Sequence, residues 1–324
     1  MEAPAFTTLF AKLVLLNGPQ RSQVLDALRP AAGLDQVVAL IDEIRSAERR
    51  CPRCTSPNWY RHGHANDLQR FRCRDCGRTY NDLSGTPLAR LRLRGKWLDY
   101  LDTVLDSKSV RKAASRVGVH RNTAFRWRHR FLEWGKLDRT PPFEGIVEAD
   151  EMFLLESQKG ARKLRRPARL RGGVAKRRGI SREHDCILVA RDRGGNTIDA
   201  VTGRGALKVG QLERHLLPKL DRQALLVTDA NAAYRVFCCR HGIAHQSVNL
   251  SAGVRVRPGI EGAIHVQNVN AYHSRFRAWL ARFHGVASRY LPNYLGWHRV
   301  LDGGRVTSSE QLLRIAISFI HSQL

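Results

Sequence analysis

The C-terminal half of the chain alternates short apolar runs with amphipathic stretches and polar turns. The apolar runs predict five strands, at residues 146–155, 186–191, 196–201, 224–229 and 245–250. The amphipathic stretches predict helices at residues 209–220, 232–241, 266–283 and 308–322. Three successive strands followed by strand–helix alternation predict an α/β domain over residues 144–324, with a mixed five-stranded sheet and flanking helices. We expect the last helix to pack against that sheet.

Leu, Val and Ala recur at helical spacing in the first 50 residues. Pro19 and Pro30 predict that this region breaks into short helices, because proline removes a backbone donor and clashes with the preceding turn. Two interpretations of residues 1–50 stay open. They form either an arm that contacts DNA or a second protomer, or a small helical cap on the domain that follows.

Two CxxC pairs dominate residues 51–82, at the spacing expected of a four-cysteine site. Four thiolates can close a tetrahedral shell around one structural Zn²⁺, here from Cys51, Cys54, Cys73 and Cys76. Two short strand patterns lie between the pairs and predict a zinc ribbon, packed by Phe71 and Tyr80. Six arginines suit contact with DNA phosphates: Arg53, Arg61, Arg70, Arg72, Arg74 and Arg78. A purely structural ribbon is the alternative.

A helix, a glycine turn and a basic helix follow within residues 83–140. The first helix is predicted over Ser109–Val117, the turn at Gly118 and the second helix over His120–Arg130. This is the helix-turn-helix pattern, whose second helix reads DNA bases near its N-terminal end. The predicted base-reading residues are Arg121, Asn122, Thr123 and Arg126. The predicted packing residues are Ala113, Ala114, Val117, Val119, Phe125 and Trp127. A helical bundle with one basic face is the alternative.

Charge narrows the class of partner. The chain carries 55 Lys and Arg against 29 Asp and Glu, a formal net charge of +26, which predicts a polyanion, double-stranded DNA before a membrane. We find no apolar run that would span a bilayer and no secretory signal, so we expect a cytoplasmic, nucleoid-associated protein. Residues 157–184 form a glycine-containing basic loop expected to become ordered on DNA. Its predicted contacts are Lys163, Arg165, Arg166, Lys176, Arg177 and Arg178.

Two aspartates suit a divalent metal site. Asp150 lies on the first strand of the α/β domain, and Asp229 ends the fourth, which neighbours the first in such a sheet. Asp229 alone would be read equally well as a helix cap. Paired with Asp150, it predicts carboxylate ligands for Mg²⁺ or Mn²⁺. Two such ions can activate a water or a 3′-hydroxyl and stabilise a leaving oxygen.

The chain combines five features: a zinc ribbon, a helix-turn-helix, an acidic strand, the Thr228-Asp229 strand end and the stretch from His265 to Arg277. In this combination it resembles the bacterial insertion-sequence transposases of the DDE class, over roughly residues 50–300. The resemblance implies a ribonuclease-H-like fold and metal-dependent cutting and joining of DNA at terminal inverted repeats. By this resemblance Asp150 and Asp229 are the first two acids of the site. The third position falls on Asn270, where Glu is usual, and Arg277 stands where Lys is usual.

The neutral side chain of Asn270 keeps competing functions open. We expect Asn270 to be a ligand, with Glu148, Glu151 or Glu261 supplying charge nearby, although a helix cap is the simpler interpretation. His265 would either orient a phosphate or cap the helix. The alternatives are a catalytically inactive, domesticated transposase that regulates as a DNA-binding protein, and a nuclease or resolvase of the same fold. Because a transposase joins two DNA ends, we expect at least a homodimer.

Overall fold

The computed structural model of the protein describes residues 3–136, 140–170, 172–248, 256–259 and 262–319. Glu261, named above, lies outside these residues. The chain divides into two compact units. The first unit contains residues 1–106, 111–131 and 308–324, and the second contains residues 107–110 and 132–307. Within the described part of the chain, no helix is long and apolar enough to cross a membrane.

The N-terminal region forms two helices, α1 (Ala3–Leu13) and α2 (Gly18–Ser46). Asn17 caps α2 by accepting from the backbone N–H of Gln20, and Pro19 lies in the first turn, where its missing N–H costs nothing. The prediction that Pro30 ends a helix is wrong, because α2 continues through it. Tertiary packing of the C-terminal half of α2 offsets the lost hydrogen bond, and this half buries Val37, Leu40 and Ile41.

The last helix, α10 (Ser309–Ser318), belongs to the first unit. It packs against α2 and α3 (Trp97–Leu105), so the prediction that it packs on the α/β sheet is wrong. Its apolar face is buried as the periodicity indicated, through Leu312, Leu313, Ala316 and Ile317. Its polar face pairs Arg314 with Glu43 on α2 at 2.7 Å. Periodicity defines which face is buried but not which surface covers it.

The cysteine segment folds as a three-stranded antiparallel sheet, in the order β1 (Trp59–Ala65), β2 (Leu68–Cys73), β3 (Thr79–Asn81). The third strand was not predicted, because three residues are too few for a visible alternation. Phe71 and Tyr80 are buried against each other, as predicted, with ring centroids 5.8 Å apart. The guanidinium of Arg49 stacks 4.1 Å from the centre of the Phe71 ring while bonding Asp82.

Three helices form the predicted DNA-binding region: α3, α4 (Val110–Val117) and α5 (Arg121–Phe131). Gly118 adopts φ 64° between α4 and α5, a conformation that favours glycine. Lys96 donates to the carbonyls of Val117 and Gly118 and so satisfies the end of α4. Most of the predicted packing residues are buried, but Phe125 is 40% exposed, so its prediction as a packing residue is wrong.

The second unit contains a five-stranded sheet in the order β6-β5-β4-β7-β8. The strands are β4 (Ile146–Leu155), β5 (His184–Asp192), β6 (Thr197–Arg204), β7 (Leu225–Thr228) and β8 (Ala244–Ser247). β4, β5 and β6 are antiparallel neighbours, whereas β7 and β8 run parallel to β4. The predicted mixed sheet, with its first and fourth strands adjacent, is confirmed. Residues 249–250, predicted to end the fifth strand, lie outside the described residues.

Four helices accompany this sheet: α6 (Val209–His215), α7 (Ala232–His241), α8 (Gln267–Ala281) and α9 (Leu291–Asp302). α6 ends earlier than predicted, and a short 3₁₀ turn containing Pro218 follows it. α9 was not predicted. It is buried on most sides, including Tyr294 and Trp297, so it lacks the polar face on which helical periodicity depends.

Candidate active site and nucleic-acid interface

Asp150 and Asp229 lie side by side at the centre of the sheet. The parallel strands β4 and β7 pair Ala149 with Thr228, so the next residue on each is an aspartate. β7 ends at Thr228, which places Asp229 at the carboxyl end of a central strand. Ligands bind at this edge in open α/β sheets. Asp229 also accepts from the backbone N–H of Asn231 at 2.9 Å, which fixes its carboxylate at the start of α7.

The electrostatics of Asp150 suit a cation. The pKa of Asp150 is raised from 3.8 to about 7, first by burial and then by the negative charges of Glu151 and Asp229, while Arg277 opposes the rise. Its side chain keeps 20% of its surface exposed, so the carboxylate is reachable. A divalent ion between these acids would offset their repulsion, and oxygen ligands are those that Mg²⁺ and Mn²⁺ prefer. The residues present therefore fit such an ion.

Glu148, on the same face of β4 as Asp150, holds the start of α8. Its fully buried carboxylate accepts from the backbone N–H groups of Asn268 and Val269 at 2.8 and 3.1 Å, and from the Asn268 side chain at 2.8 Å. Arg193 and His265 approach it at 3.1 and 3.2 Å. A carboxylate at a helix N-terminus satisfies otherwise unpaired N–H groups and complements the helix dipole. Glu148 therefore holds the N-terminus of α8 in place.

Helix α8 carries Asn270, His273 and Arg277, which share one face at i, i+3, i+7 spacing. His273 is the contact of this face with β4, since its Nδ1 lies 3.7 Å from Oδ2 of Asp150. Burial, with a contribution from Arg277, lowers the pKa of His273 to about 4. Asn270 lies one turn nearer the Glu148 end and is half-buried, and Arg277 is exposed one turn further on. The predicted third residue is therefore carried on the helix face that meets Asp150.

Glu151 points to the other face of β4 and is bound to α7. Its two carboxylate oxygens accept from Asn231 at 2.5 Å and from the Tyr234 hydroxyl at 3.0 Å. Both oxygens are thus occupied, and the charge acts on Asp150 and Asp229 as a neighbour. The sequence predicted that Glu148 and Glu151 supply negative charge near the site. It did not predict that each of them fixes one of the two helices that flank the aspartate pair.

The four cysteines of the ribbon converge. All four sulfurs lie within 4.8 Å of one another, with Cys51–Cys76 and Cys54–Cys73 sulfur distances of 3.5 and 3.6 Å. Tetrahedral Zn²⁺ with bonds of about 2.3 Å would separate its sulfurs by about 3.8 Å. Thr55 and Gly77 follow the two pairs with φ of 58° and 68°, and their amides close the loops onto Cys51 and Cys73. The cluster fits one metal ion.

Helix α5 presents its predicted base-reading residues to solvent. Arg121, Asn122 and Arg126 are exposed and Thr123 is half-buried, whereas the opposite face buries Ala124 and Trp127. Tyr100 of α3 donates its hydroxyl to the carbonyl of Ala124, which fixes the helix. The polar N-terminal half of α5 is therefore free to enter a groove of DNA.

The basic loop is anchored at its base by two acids, the buried Glu156 and the half-buried Glu183. Glu156, 3% exposed, pairs with Arg166 at 2.7 Å and with Arg204 at 2.9 Å. Arg169 bridges Glu156 to Glu183. Arg166, predicted as a DNA contact, is thus committed to holding the loop. The other predicted cations of the loop are exposed: Lys163, Arg165, Lys176, Arg177 and Arg178.

Comparisons with known proteins agree with this architecture. The family profile of the ISXO2-like transposase domain matches residues 142–297, and that of a homeodomain-like domain matches residues 88–141. A protein of Halobacterium salinarum, described as an uncharacterized protein in transposable element ISH50, is 30% identical over 249 residues, covering 76% of this chain and 82% of its own.

Two solved structures are more distant: a pre-cleavage Mos1 transpososome and a Mos1 mariner paired-end complex with Mn. They show 12% and 13% identity, each covering 68% of this chain and 79% of its own, with TM-scores of 0.20. Likenesses at this level establish nothing about the chain.

The α/β sheet with its pair of acids, joined to a helix-turn-helix, defines a DNA-processing protein of mobile elements. The chain belongs to the insertion-sequence transposases that carry an ISXO2-like transposase domain. It is a DNA-binding transposase, as the resemblance in its sequence predicted.

Proposed function

We propose that the second unit is a ribonuclease-H-like catalytic domain that cleaves and joins DNA at terminal inverted repeats. The observation that carries the proposal is that Asp150 and Asp229 directly follow the paired residues Ala149 and Thr228 of two adjacent parallel strands, with His273 of α8 beside Asp150. The strand order, with β4 central and β6 and β8 at the edges, supports the same fold. Asp150, Asp229 and Asn270 would hold two Mg²⁺ or Mn²⁺ ions.

The bound ions would supply activation of a water or 3′-hydroxyl and stabilisation of the leaving oxygen. The chain's own residues position and shield the site. Asn270 offers a neutral amide oxygen, which is a ligand without charge. His273 of α8 lies against the carboxylate of Asp150 and excludes water from that side of it. Arg277, exposed at the end of this face, is placed to contact a DNA phosphate near the cut.

Two parts of the chain would hold DNA, and a third would have a structural role. The N-terminal half of α5 would read the terminal repeat through Arg121, Asn122, Thr123 and Arg126. The exposed cations of the basic loop would contact phosphates of repeat or target DNA, which predicts steep salt dependence. The cysteine cluster would hold one structural Zn²⁺. We propose that at least two copies act together on nucleoid DNA, since transposition brings two element ends into one complex.

A strand-transfer assay with pre-cleaved element ends and Mg²⁺ or Mn²⁺ tests the catalytic proposal. We expect joined product from the wild type, none from Asp150→Ala, and a loss of at least about 100-fold from Asn270→Ala. Equal product from Asn270→Ala and wild type would remove Asn270 from the ligand set. Cleaved DNA that is never joined would instead identify a nuclease or resolvase.

An inactive transposase that acts as a DNA-binding regulator is the second candidate function, and the neutral Asn270 favours it. The same assay separates the two when Asn270→Glu is added. Product from Asn270→Glu but not from the wild type would show that the wild type is a catalytically inactive transposase, as the second candidate requires. Binding of the repeat DNA, measured in parallel by fluorescence anisotropy, ensures that a negative result reflects chemistry rather than the wrong DNA end.

A further inference from the structure

A polar cavity lies within the first unit, against the zinc ribbon. It encloses about 390 Å³ between β2, β3 and the turn-rich segment that follows β3. Its wall includes the polar residues Thr79, Asn81 and Ser84. Ser84 and Asn81 bond each other through both side chain and backbone, which fixes the turn at the end of β3. The cavity is therefore part of the folded ribbon rather than a gap between loops.

Three arginines converge on this cavity: Arg70, Arg78 and Arg90. No carboxylate from the described part of the chain lines it. Other arginines of the unit are paired, such as Arg49 with Asp82 at 2.8 Å and Arg116 with Asp106 at 2.8 Å. Among the described residues, none of the three cavity arginines lies within ion-pair distance of an acid. Like charges gathered around a concavity repel one another. An anion bound within it would be attracted to all three arginines and would offset that repulsion.

Each of the three arginines is held by a different constraint. Arg70 lies on β2 opposite Asn81, and the backbone carbonyl of Arg78 accepts from Cys73, so the metal-binding loop fixes its position. Arg90 has φ 63°, a left-handed conformation that costs a non-glycine residue on the order of 1 kcal/mol or more. Strained residues of this kind persist where the surroundings hold them and cluster at ligand sites.

The segment that carries Arg90 is braced by the DNA-reading helix. Buried Leu88 and Leu91 flank Arg90, so the backbone is held on both sides. Arg130 of α5 donates to the carbonyls of Pro87 and Ala89, the second at 3.1 Å. The cavity is thus mechanically joined to α5. If the ligand in the cavity is a DNA phosphate, it would belong to the same DNA molecule as the bases read by α5.

We infer that this cavity binds a phosphate group. Guanidinium groups match phosphate oxygens in bidentate geometry, and the hydroxyl of Thr79 adds a neutral donor. The volume admits a phosphodiester with its sugar, or the phosphate of a free nucleotide. DNA binding by the chain supplies the first source, and the brace from Arg130 favours it, but the recognised chemistry is the same for both.

The test compares single Arg→Gln variants at positions 70, 78 and 90 with Arg61→Gln. Arg61 is an exposed β1 arginine outside the cavity and is also one of the six arginines suited to phosphate contact, so this control measures what the same charge contributes from outside the cavity. Affinity for the element-end duplex is measured by fluorescence anisotropy from 50 to 200 mM salt. Zinc content and melting temperature confirm that each variant is folded. Isothermal calorimetry with inorganic phosphate and with deoxyadenosine monophosphate measures binding of free phosphate compounds.

If DNA supplies the phosphate, each cavity variant should lower the slope of log affinity against log salt by about 0.9. The loss of affinity over that fourfold salt range then becomes about 3.5-fold smaller, whereas Arg61→Gln changes it less. If a free compound supplies the phosphate, calorimetric binding disappears in the cavity variants while the DNA slope stays unchanged. Cavity variants that match Arg61→Gln in both measurements overturn the inference. An Arg126→Gln variant reports separately on base reading by α5.

Discussion

Glu148 offers the sharpest test of how the site is assembled, because its carboxylate lies at the junction of β4, α8 and Arg193. Its partners include two backbone N–H groups, the Asn268 side-chain amide and the Arg193 guanidinium, all of which are donors. The substitution Glu148→Gln keeps the shape of the side chain, but it removes the charge and turns one acceptor oxygen into an NH₂ donor. That NH₂ group must face either the N-terminus of α8 or the guanidinium. The start of α8 should therefore shift or fray.

The expected cost follows from the contacts. A hydrogen bond to a charged group contributes about 1.5–3 kcal/mol, and Glu148 accepts three on the α8 side. Gln retains some of these hydrogen bonds. Arg193 is 32% exposed, so solvent screens its ion pair with Glu148 and reduces the contribution of that pair. We expect a loss of about 3 kcal/mol in the free energy of unfolding. Because Asn270 lies on the first turns of α8, the Mg²⁺ affinity should also fall by about 10- to 100-fold.

Urea denaturation measures the stability change, and the rise in melting temperature with added Mg²⁺ measures metal affinity without requiring catalysis. Glu156→Gln is the matched control, since Glu156 is also a buried carboxylate at the end of β4, paired with Arg166 and Arg204. It should lose comparable stability but keep the wild-type Mg²⁺ response. In an Asn270→Ala background, Glu148→Gln should have little further effect on that response.

The reasoning is refuted if Glu148→Gln costs less than about 0.5 kcal/mol, a value typical of surface substitutions. It is also refuted if Glu148→Gln and Glu156→Gln shift the Mg²⁺ response equally, because Glu148 would then act only through general stability. Additive effects of Glu148→Gln and Asn270→Ala would mean that Glu148 does not act through Asn270.

Three further predictions concern stability, metal and packing. Burial lowers the pKa of His298 from 6.5 to about 4, so the unfolded chain takes up a proton first and stability falls as pH drops from 6.5 towards 4, by roughly 3 kcal/mol in full; acid titration of His298→Phe should show a shallower loss, and an unchanged profile would contradict this. Cys54→Ser should lower zinc content from one equivalent and melt the ribbon, as read by metal analysis and circular dichroism, whereas the exposed Cys239→Ser should retain the metal. Gly296→Ala would overlap a facing glycine backbone closer than 3.0 Å and should cost about 2–4 kcal/mol in denaturation, while Gly210→Ala meets only a flexible side-chain end at 3.8 Å and should cost nothing.

Much of the fold could be predicted because its signals are local. Apolar runs marked β4, β5 and β7, and the glycine between two short helices marked the helix-turn-helix. The exceptions have physical reasons. α2 passes through Pro30 because tertiary packing of its second half outweighs a lost hydrogen bond. α9 escaped notice because its burial on most sides leaves no polar face.

The candidate site divides in the same way. Asp150 and Asp229 could be brought together from sequence, because one lies on the first strand and the other ends the fourth, and these two strands are neighbours in such a sheet. The role of Glu148 could not be predicted, since its partners come from the β5–β6 turn and from α8, more than 40 and 110 positions away along the chain. Likewise, Arg166 looked like any other cation of the basic loop until its contact with Glu156 was seen.

Residue type and short-range spacing were enough to predict two CxxC pairs, a helix-turn-helix with a basic second helix, a basic loop, and two acids on or directly after strands. The paired charges, the surface against which α10 packs, and the gathering of Arg70, Arg78 and Arg90 around one cavity became visible only in the folded chain. The physical reason is that spacing along the chain fixes direction and periodicity, whereas burial and pairing depend on partners brought together by folding. A charge visible in the sequence becomes a contact for DNA only if the fold leaves it unpaired.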